Sequence, residues 1–454
     1  MTDTDYDLAI IGGGVTGTAL LYLLSRYTTL KKIVLIEKYN NVATVNSART
    51  HNSQTLHFGD IETNYTLEKS RKVAKAANMV KLYLESEKNP KLFSKYNKMV
   101  LAIGSEQSFE LRKRYEEFHE LFPNLKIINK KSIGELEPMV VKGRPEQQEL
   151  LALSTDEGYT VDFENLSHSF LENARKHNPY LQTLFKSKMR SLKWSSDHYS
   201  IGIGDIGIGI GIGIGKISKT ITARVVVVCT GGNALMMAQK LGYGRHLSLL
   251  SVAGSFYWAQ NVLNGKVYTL QNRKLPFAAI HGDPEVHNKT QIRFGPTAKA
   301  IPFLERYNWS SFFDYVKSCG LNFSSLRALF EILSDKVIFI YILRNTLYDL
   351  PFIGKRLFIR EARKIIPTLK LEQLNFAKGM GGTRPQIVNT LTRKLELGEA
   401  KIVGQNIIFN ITPSPGASSC LNNAYVDTLK IMEFFKDEFA CDKDAIKKDL
   451  IDRN

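Results

Sequence analysis

Apolar and polar positions along this chain recur with two periods, and the switches between them mark its elements. Asp7-Leu8-Ala9-Ile10-Ile11 is short, apolar and stopped by glycines, the pattern of a buried parallel strand. From Val15 to Arg26 the apolar residues Ala19, Leu20, Leu23 and Leu24 recur at helical spacing on one face. Ile33-Val34-Leu35-Ile36 then forms a second apolar run that closes on Glu37. The three segments predict a strand–helix–strand unit of about 30 residues.

Further on, Tyr65 to Tyr115 reads as mostly charged helix, interrupted by a strand at Met99 to Gly104. Thr155 to Asp162 reads as a loop that feeds a helix over Glu164 to His177. Ile201 to Gly215 repeats isoleucine and glycine with the two-residue period of a strand, and Asp205 shifts the phase once. Such a repeat specifies register poorly and predicts a partly exposed β-hairpin. Ala223 to Val228 is a buried strand that ends in Cys229-Thr230-Gly231-Gly232. Short strand-like runs fill Leu249 to Arg293. An apolar and basic stretch follows from Leu326 to Arg360, and the chain ends in a helix over Asn423 to Phe439.

The chain has 454 residues, 43 % of them apolar and 23 % charged, a globular balance that excludes a disordered or collagen-like chain. The length predicts two or three domains. Four scattered cysteines without metal-like spacing predict reduced thiols in a cytoplasmic protein and no metal site. The acidic N-terminus lacks the basic start of an export leader. The longest apolar run in the basic stretch, Val337 to Leu343, is far too short to span a bilayer. The formal net charge is +17. It serves solubility or attraction to an anionic membrane surface. The basic residues are dispersed and no recognition motif accompanies them, so nucleic acid is not an expected partner.

Gly12-Gly13-Gly14-Val15-Thr16-Gly17 is a G-x-G-x-x-G between a strand and a helix, with Glu37 twenty residues beyond Gly17. That is the context of dinucleotide binding. Gly12 makes the turn, Gly14 lets backbone approach a pyrophosphate, and Gly17 packs helix on strand. The helix N-terminus stabilises phosphate charge, and Glu37, followed by Lys38, meets the adenosine ribose. This pattern fits FAD or NAD. The strand ending in Thr230-Gly231-Gly232 resembles an element of flavoproteins with the two-dinucleotide fold, which favours FAD.

The segment Asn52-Ser53-Gln54-Thr55-Leu56-His57-Phe58-Gly59-Asp60-Ile61-Glu62 is similar to the one that follows the second strand in malate:quinone oxidoreductases and in the related L-2-hydroxyglutarate oxidases. Further matches keep the same order: Val252 to Phe256, Lys274 to Phe277, His281-Gly282-Asp283-Pro284, Arg293 to Thr297, Gly381-Gly382-Thr383-Arg384-Pro385-Gln386, and Ser414-Pro415-Gly416-Ala417-Ser418. The resemblance covers nearly the whole chain. It implies oxidation of (S)-malate to oxaloacetate, with electrons passed through FAD to a membrane quinone, at the junction of the tricarboxylic acid cycle and the respiratory chain. It also implies a peripheral place on the inner face of the cell membrane.

Oxidising a secondary alcohol needs a base for the hydroxyl proton, and a dicarboxylate needs fixed cations. His281, with Asp283 near in sequence to orient it, is the first candidate base, and His57 is the second. Arg384 is the first candidate for one substrate carboxylate and Arg293 for the other. Sequence alone leaves a structural place open for both histidines and for Arg293. Ser53, Gln54, Thr55, Thr230, Gly231, Gly232 and Gly382 are expected around the cofactor. Pro415, Gly416, Ala417 and Ser418 are expected to close its site from the C-terminal side. The stretch from Leu326 to Arg360 reads either as a membrane-docking surface or as a buried helix.

The expected architecture is α/β. A discontinuous Rossmann-like FAD domain (1–85, 150–245 and 360–454) joins an α+β substrate domain (86–149 and 246–359) with a mixed or antiparallel sheet. One alternative is an FAD enzyme for another 2-hydroxy acid, such as L-2-hydroxyglutarate. An alternative of a different class is a dinucleotide-binding sensor or scaffold without catalysis.

Overall fold

The computed structural model describes residues 4–205, 216–271, 279–295, 297–319, 323–396, 400–411, 416–436 and 438–452. Its first apolar runs become strands because helices and further strands cover both of their faces. β1 (Tyr6–Ile11) pairs in parallel with β2 (Ile33–Ile36) on one side and with the valine-rich strand Lys219–Val228 on the other. The sheet continues through Ile407–Ile411 and Ala400–Gly404 at one edge and Gln182–Leu184 at the other. α1 (Val15–Tyr27) is buried everywhere except at Arg26. It packs against the helices Phe163–His177 and Cys420–Phe434, and Tyr22 stacks on Phe170 with ring centroids 5.5 Å apart. A helix apolar all round belongs in such an interior.

A second large sheet runs in the order Asn375–Phe376, Tyr257–Gln260, Gln291–Gly295, His281–Pro284, Lys266–Thr269, Phe93–Ile103, Leu150–Val161, Lys126–Asn129. It is antiparallel except where Lys266–Thr269 runs parallel to Phe93–Ile103. A third sheet orders Lys299–Ala300, Leu247–Ala253, Thr383–Asn389 and Lys394–Glu396. Helices Phe323–Ser334 and Lys336–Leu347 cover it, with Ala328 and Ile332 packed on Leu250, Val252 and Val388. The architecture is therefore α/β, a Rossmann-like unit joined to sheets of mixed and antiparallel type.

Several expectations need correction. Thr155 to Val161 is no loop: it belongs to the strand Leu150–Val161, and its backbone pairs with Phe93–Ile103. That strand lies within the stretch expected to accompany the FAD fold, yet its pairing is in the second large sheet. Thr383–Asn389 pairs with Leu247–Ala253 in the third sheet. The helix expected over Asn423 to Phe439 runs instead over Cys420–Phe434, and a further helix, Lys443–Leu450, follows it. Ile201 and Ile203 are buried, not partly exposed, in the strand His198–Gly204. The glycine face there is also closed, since a Cβ at Gly202 would lie 2.3 Å from Ser191 Oγ. The rest of the repeat, 206–215, lies outside the described residues, as do Lys274 to Phe277, Pro296, Ser414 and Pro415.

Candidate functional site

One cleft of about 440 Å³ collects residues from the glycine turn, the segments around Glu37, His57, Thr230, His281 and Arg384, and the turn at Gly416 to Ser418. Its volume is in the range of cofactor and substrate sites. The glycine mouth forms one part. Gly12 has φ +107°, and a Cβ there would stand 2.5 Å from Cys229 O, so β1 and the strand Lys219–Val228 can meet only with glycine at the turn. A Cβ on Gly17 would lie 2.0 Å from Gly12 O, which seats α1 directly on the turn. Gly17→Ala is therefore expected to destabilise the fold by about 1–3 kcal/mol through overpacking, read as a lower denaturant midpoint. At Gly14 the nearest protein atom to such a Cβ is Ser47 Oγ at 3.4 Å. Ser47 Oγ itself accepts from Val15 N at 3.0 Å.

Glu37 follows β2 directly, beside this mouth. Its Oε2 accepts from Gly13 N at 2.7 Å and its Oε1 from Tyr39 N at 2.9 Å. Each oxygen retains a lone pair, and the residue lines the cleft. Lys38 lines it too, in an ion pair with Glu305. Gly12, Gly14, Thr230, Gly231 and Gly232 also line it, with Gly231 at φ +57°.

Imidazole and guanidinium groups line another part. His57 Nδ1 lies 2.7 Å from Glu62 Oε1. Burial alone would raise the Glu62 carboxyl, but its hydrogen bond to His57, the charge of His57 and then Lys98 bring it down to about 2. An ionised carboxylate at Nδ1 fixes the Nδ1–H tautomer and leaves the Nε2 lone pair as the basic site. Among the described residues Nε2 has no hydrogen-bond partner, and His57 lines the cleft. Its backbone N–H donates to Ser418 Oγ at 3.0 Å, so the C-terminal turn holds the histidine loop directly.

His281 lines the same cleft, but both of its ring nitrogens face protein acceptors. Nδ1 is 3.0 Å from Ala279 O. Nε2 is 3.3 Å from Asp283 Oδ2, close enough for an ion pair though not aligned as a hydrogen bond. Burial would raise the Asp283 carboxyl, but Lys266 and then His281 hold it well below the usual carboxylate range. With a carbonyl at one nitrogen and a carboxylate near the other, neither ring nitrogen is turned to the cleft as a free acceptor, which makes His281 poorly placed to serve as the base.

Arg384 lines the cleft and, among the described residues, makes one hydrogen bond, to Thr297 O at 3.2 Å, and no ion pair. Burial draws its guanidinium below the ordinary value, with Tyr341 opposing. A half-buried planar fork with most of its donors unpartnered among the described residues suits a carboxylate.

Arg293 does not reach the cleft. It is buried, with Nη1 on Asn52 O at 3.1 Å and Nη2 on Ser53 O at 2.8 Å, and so braces the loop before His57. Gln54 is likewise turned inward: its amide donates to Arg49 O and Glu285 Oε1 and accepts from Val286 N. Asp283 sits behind His281, outside the lining. Ser53, Thr55, Gly382, Gly416, Ala417 and Ser418 do line the cleft. Glu62, Lys266 and Tyr268 carry no role in the sequence pattern. No local spacing signals any of the three.

The sequence profile of a family described as "Malate:quinone oxidoreductase (Mqo)" matches residues 4–451. A probable malate:quinone oxidoreductase from Campylobacter jejuni is 42 % identical over 98 % of this chain and 99 % of its own. A malate:quinone oxidoreductase from Helicobacter pylori is 40 % identical over 97 % of both chains. Among solved structures, an L-alpha-glycerophosphate oxidase from Mycoplasma pneumoniae with FAD bound superposes with a TM-score of 0.65 at 15 % identity, over 94 % of each chain. A glycine oxidase from Geobacillus kaustophilus reaches 0.61 at 15 % over the full length of both. At such identities the likeness is one of fold.

Proposed function

The chain belongs to the malate:quinone oxidoreductase family, and on that premise we propose that it oxidises (S)-malate to oxaloacetate with FAD as cofactor and a membrane quinone as final acceptor. One observation carries this reading: a single cleft joins a dinucleotide-type glycine mouth to His57–Glu62, His281 and Arg384. The mouth fits FAD. A side chain at Gly14 would project into the cleft, and the lone pairs left on Glu37 suit ribose hydroxyls. Gly12, Gly14, Glu37, Thr230 and Gly231 would hold the adenine half, with Gly382, Gly416, Ala417 and Ser418 around the redox ring. When bound, FAD supplies the hydride acceptor and hands the electron pair on to the quinone.

The chain's own residues do the rest. His57 Nε2 takes the proton from the malate hydroxyl, and Glu62 stabilises the imidazolium that results. Arg384 grips one carboxylate by its fork. His281, in the cleft wall beside Asp283, would lend positive charge to the other through space. Anaerobic mixing of the purified yellow protein with a panel of 2-hydroxy acids tests the assignment. Bleaching by malate supports it. Bleaching by 2-hydroxyglutarate alone would move the substrate by one methylene, and no bleaching by any member would leave a non-catalytic dinucleotide binder.

No helix among the described residues is long and apolar enough to cross a membrane. The helices over the third sheet point Phe323, Leu326 and Phe330, then Val337, Ile340 and Leu343, away from the protein. Arg327, Lys336 and Arg344 lie among them, and Phe352 is 92 % exposed beside Lys355 and Arg356. This apolar and basic face supports peripheral attachment to an anionic bilayer. Reversing the charge of Lys355 and Arg356 is expected to cost about 2 kcal/mol or more of binding, roughly 30-fold in partition to anionic vesicles. Malate oxidation by a soluble dye should be spared. Unchanged vesicle binding would remove this face from the proposal.

A further inference from the structure

Lys266 is wholly buried and stands in register with a second buried lysine, Lys98, on the neighbouring strand. A buried ammonium costs several kcal/mol unless it is paired. Lys98 is paired closely, with Asp60 Oδ1 at 2.8 Å. Lys266 is not: its Nζ donates to Thr55 Oγ1 at 3.0 Å and stands 3.7 Å from Asp283 Oδ2. The same Asp283 Oδ2 accepts from Thr55 Oγ1 at 3.0 Å and from Tyr268 OH at 3.2 Å, while Oδ1 has no hydrogen-bond partner among the described residues. Tyr268 stacks on the His281 ring with centroids 4.4 Å apart. One carboxylate thus lies between an interior ammonium and an imidazole in the cleft wall.

Other charged and titratable groups act on this cluster from every side. Arg293 and Lys98 act on Lys266 from the strands Gln291–Gly295 and Phe93–Ile103, Glu285 acts on Arg293, and Glu62 acts on Tyr268. Burial draws the Lys266 ammonium down to about 8, with Asp283 opposing, so it remains mostly charged at neutral pH.

Resting on the reading that His281 lends positive charge to the malate site, we propose that Lys266 is a positioning residue that sets the pH range over which His281 carries that charge. With Lys266 charged, the field of Asp283 is shared between ammonium and imidazole. Without it, the whole carboxylate acts on His281, which then keeps its proton to higher pH.

The test is the pH dependence of KM for malate in the FAD-loaded enzyme with a soluble dye acceptor, between about pH 6 and 9. Lys266→Met and Lys266→Gln should move the alkaline rise in KM upward by about 1 pH unit. Asp283→Asn should move it downward. The acid limb of kcat, which belongs to the proton acceptor, should stay in place. Nitrogen-15 spectra of labelled histidine give a second readout, with the His281 signals identified by their loss in His281→Gln. If His281→Gln leaves KM unchanged, the reading of the malate site fails. If His281→Gln raises KM but neither Lys266 variant moves the limb or the His281 titration, the role of Lys266 fails. Loss of the fold in both Lys266 variants would make it a structural residue and also overturn the proposal.

Discussion

His57→Gln should lower kcat for malate by ~10³-fold, within the loss expected when a general base is removed, while KM moves little. Glutamine can keep a donor toward Glu62 but has no basic nitrogen to turn toward the cleft. Glu62→Gln should cost less, on the order of 10²-fold, because it weakens tautomer control and leaves the imidazole in place. The measurement is the rate of flavin bleaching on rapid mixing with malate, which isolates the chemical step from reaction with the quinone. Retained FAD absorbance in each variant shows that the cleft is intact. The outcome that would transfer the base to His281 is a near-normal rate in His57→Gln together with collapse in His281→Gln.

Arg384→Met should act chiefly on binding. Its half-buried side chain makes one protein hydrogen bond among the described residues, so removing it takes away the main partner proposed for a dianion. A loss of about 3 kcal/mol, ~150-fold in kcat/KM, is the scale for truncating one side of a buried charge pair. Most of it should fall on KM. Arg384→Lys should recover part of it, since the charge remains and the two-pronged geometry does not. A 2-hydroxy monocarboxylate compared with malate in both variants separates loss of one carboxylate contact from general damage. Equal losses for both acids would place Arg384 on the shared carboxylate, and no loss for either would exclude it from the site.

What was legible in the sequence was what a short stretch of chain decides by itself. The glycine turn, its helix and Glu37 are set within 32 residues of β1's start, and their roles follow from sterics that any reader of residues 6–37 can apply. The order in which we propose the two histidines is not legible in the sequence. His57 gains its carboxylate from a residue five positions on, through an irregular loop with no fixed spacing rule. His281 is disfavoured as a base only because Ala279 O and Asp283 flank both ring nitrogens. Arg293 looked like a ligand for substrate because its partners, the carbonyls of Asn52 and Ser53, lie some 240 residues away in sequence. The stretch from Leu326 to Arg360 posed a related problem. An apolar pattern on two helix faces says that the chain is amphipathic, not which face a sheet will cover; the packing of Ala328 and Ile332 decides that.

The bond between Ser418 and the backbone of His57 joins residues 361 positions apart. A ribosome has therefore passed residue 418 before the loop that carries His57 can be tied down. Until the strand Ile407–Ile411 and the helix Cys420–Phe434 emerge, the valine-rich strand lacks a neighbour and one flank of α1 stays bare. Nascent intermediates of this kind are slow to mature and prone to sticking together. Trimming even the last few dozen codons should thus yield aggregated material rather than a weakened catalyst.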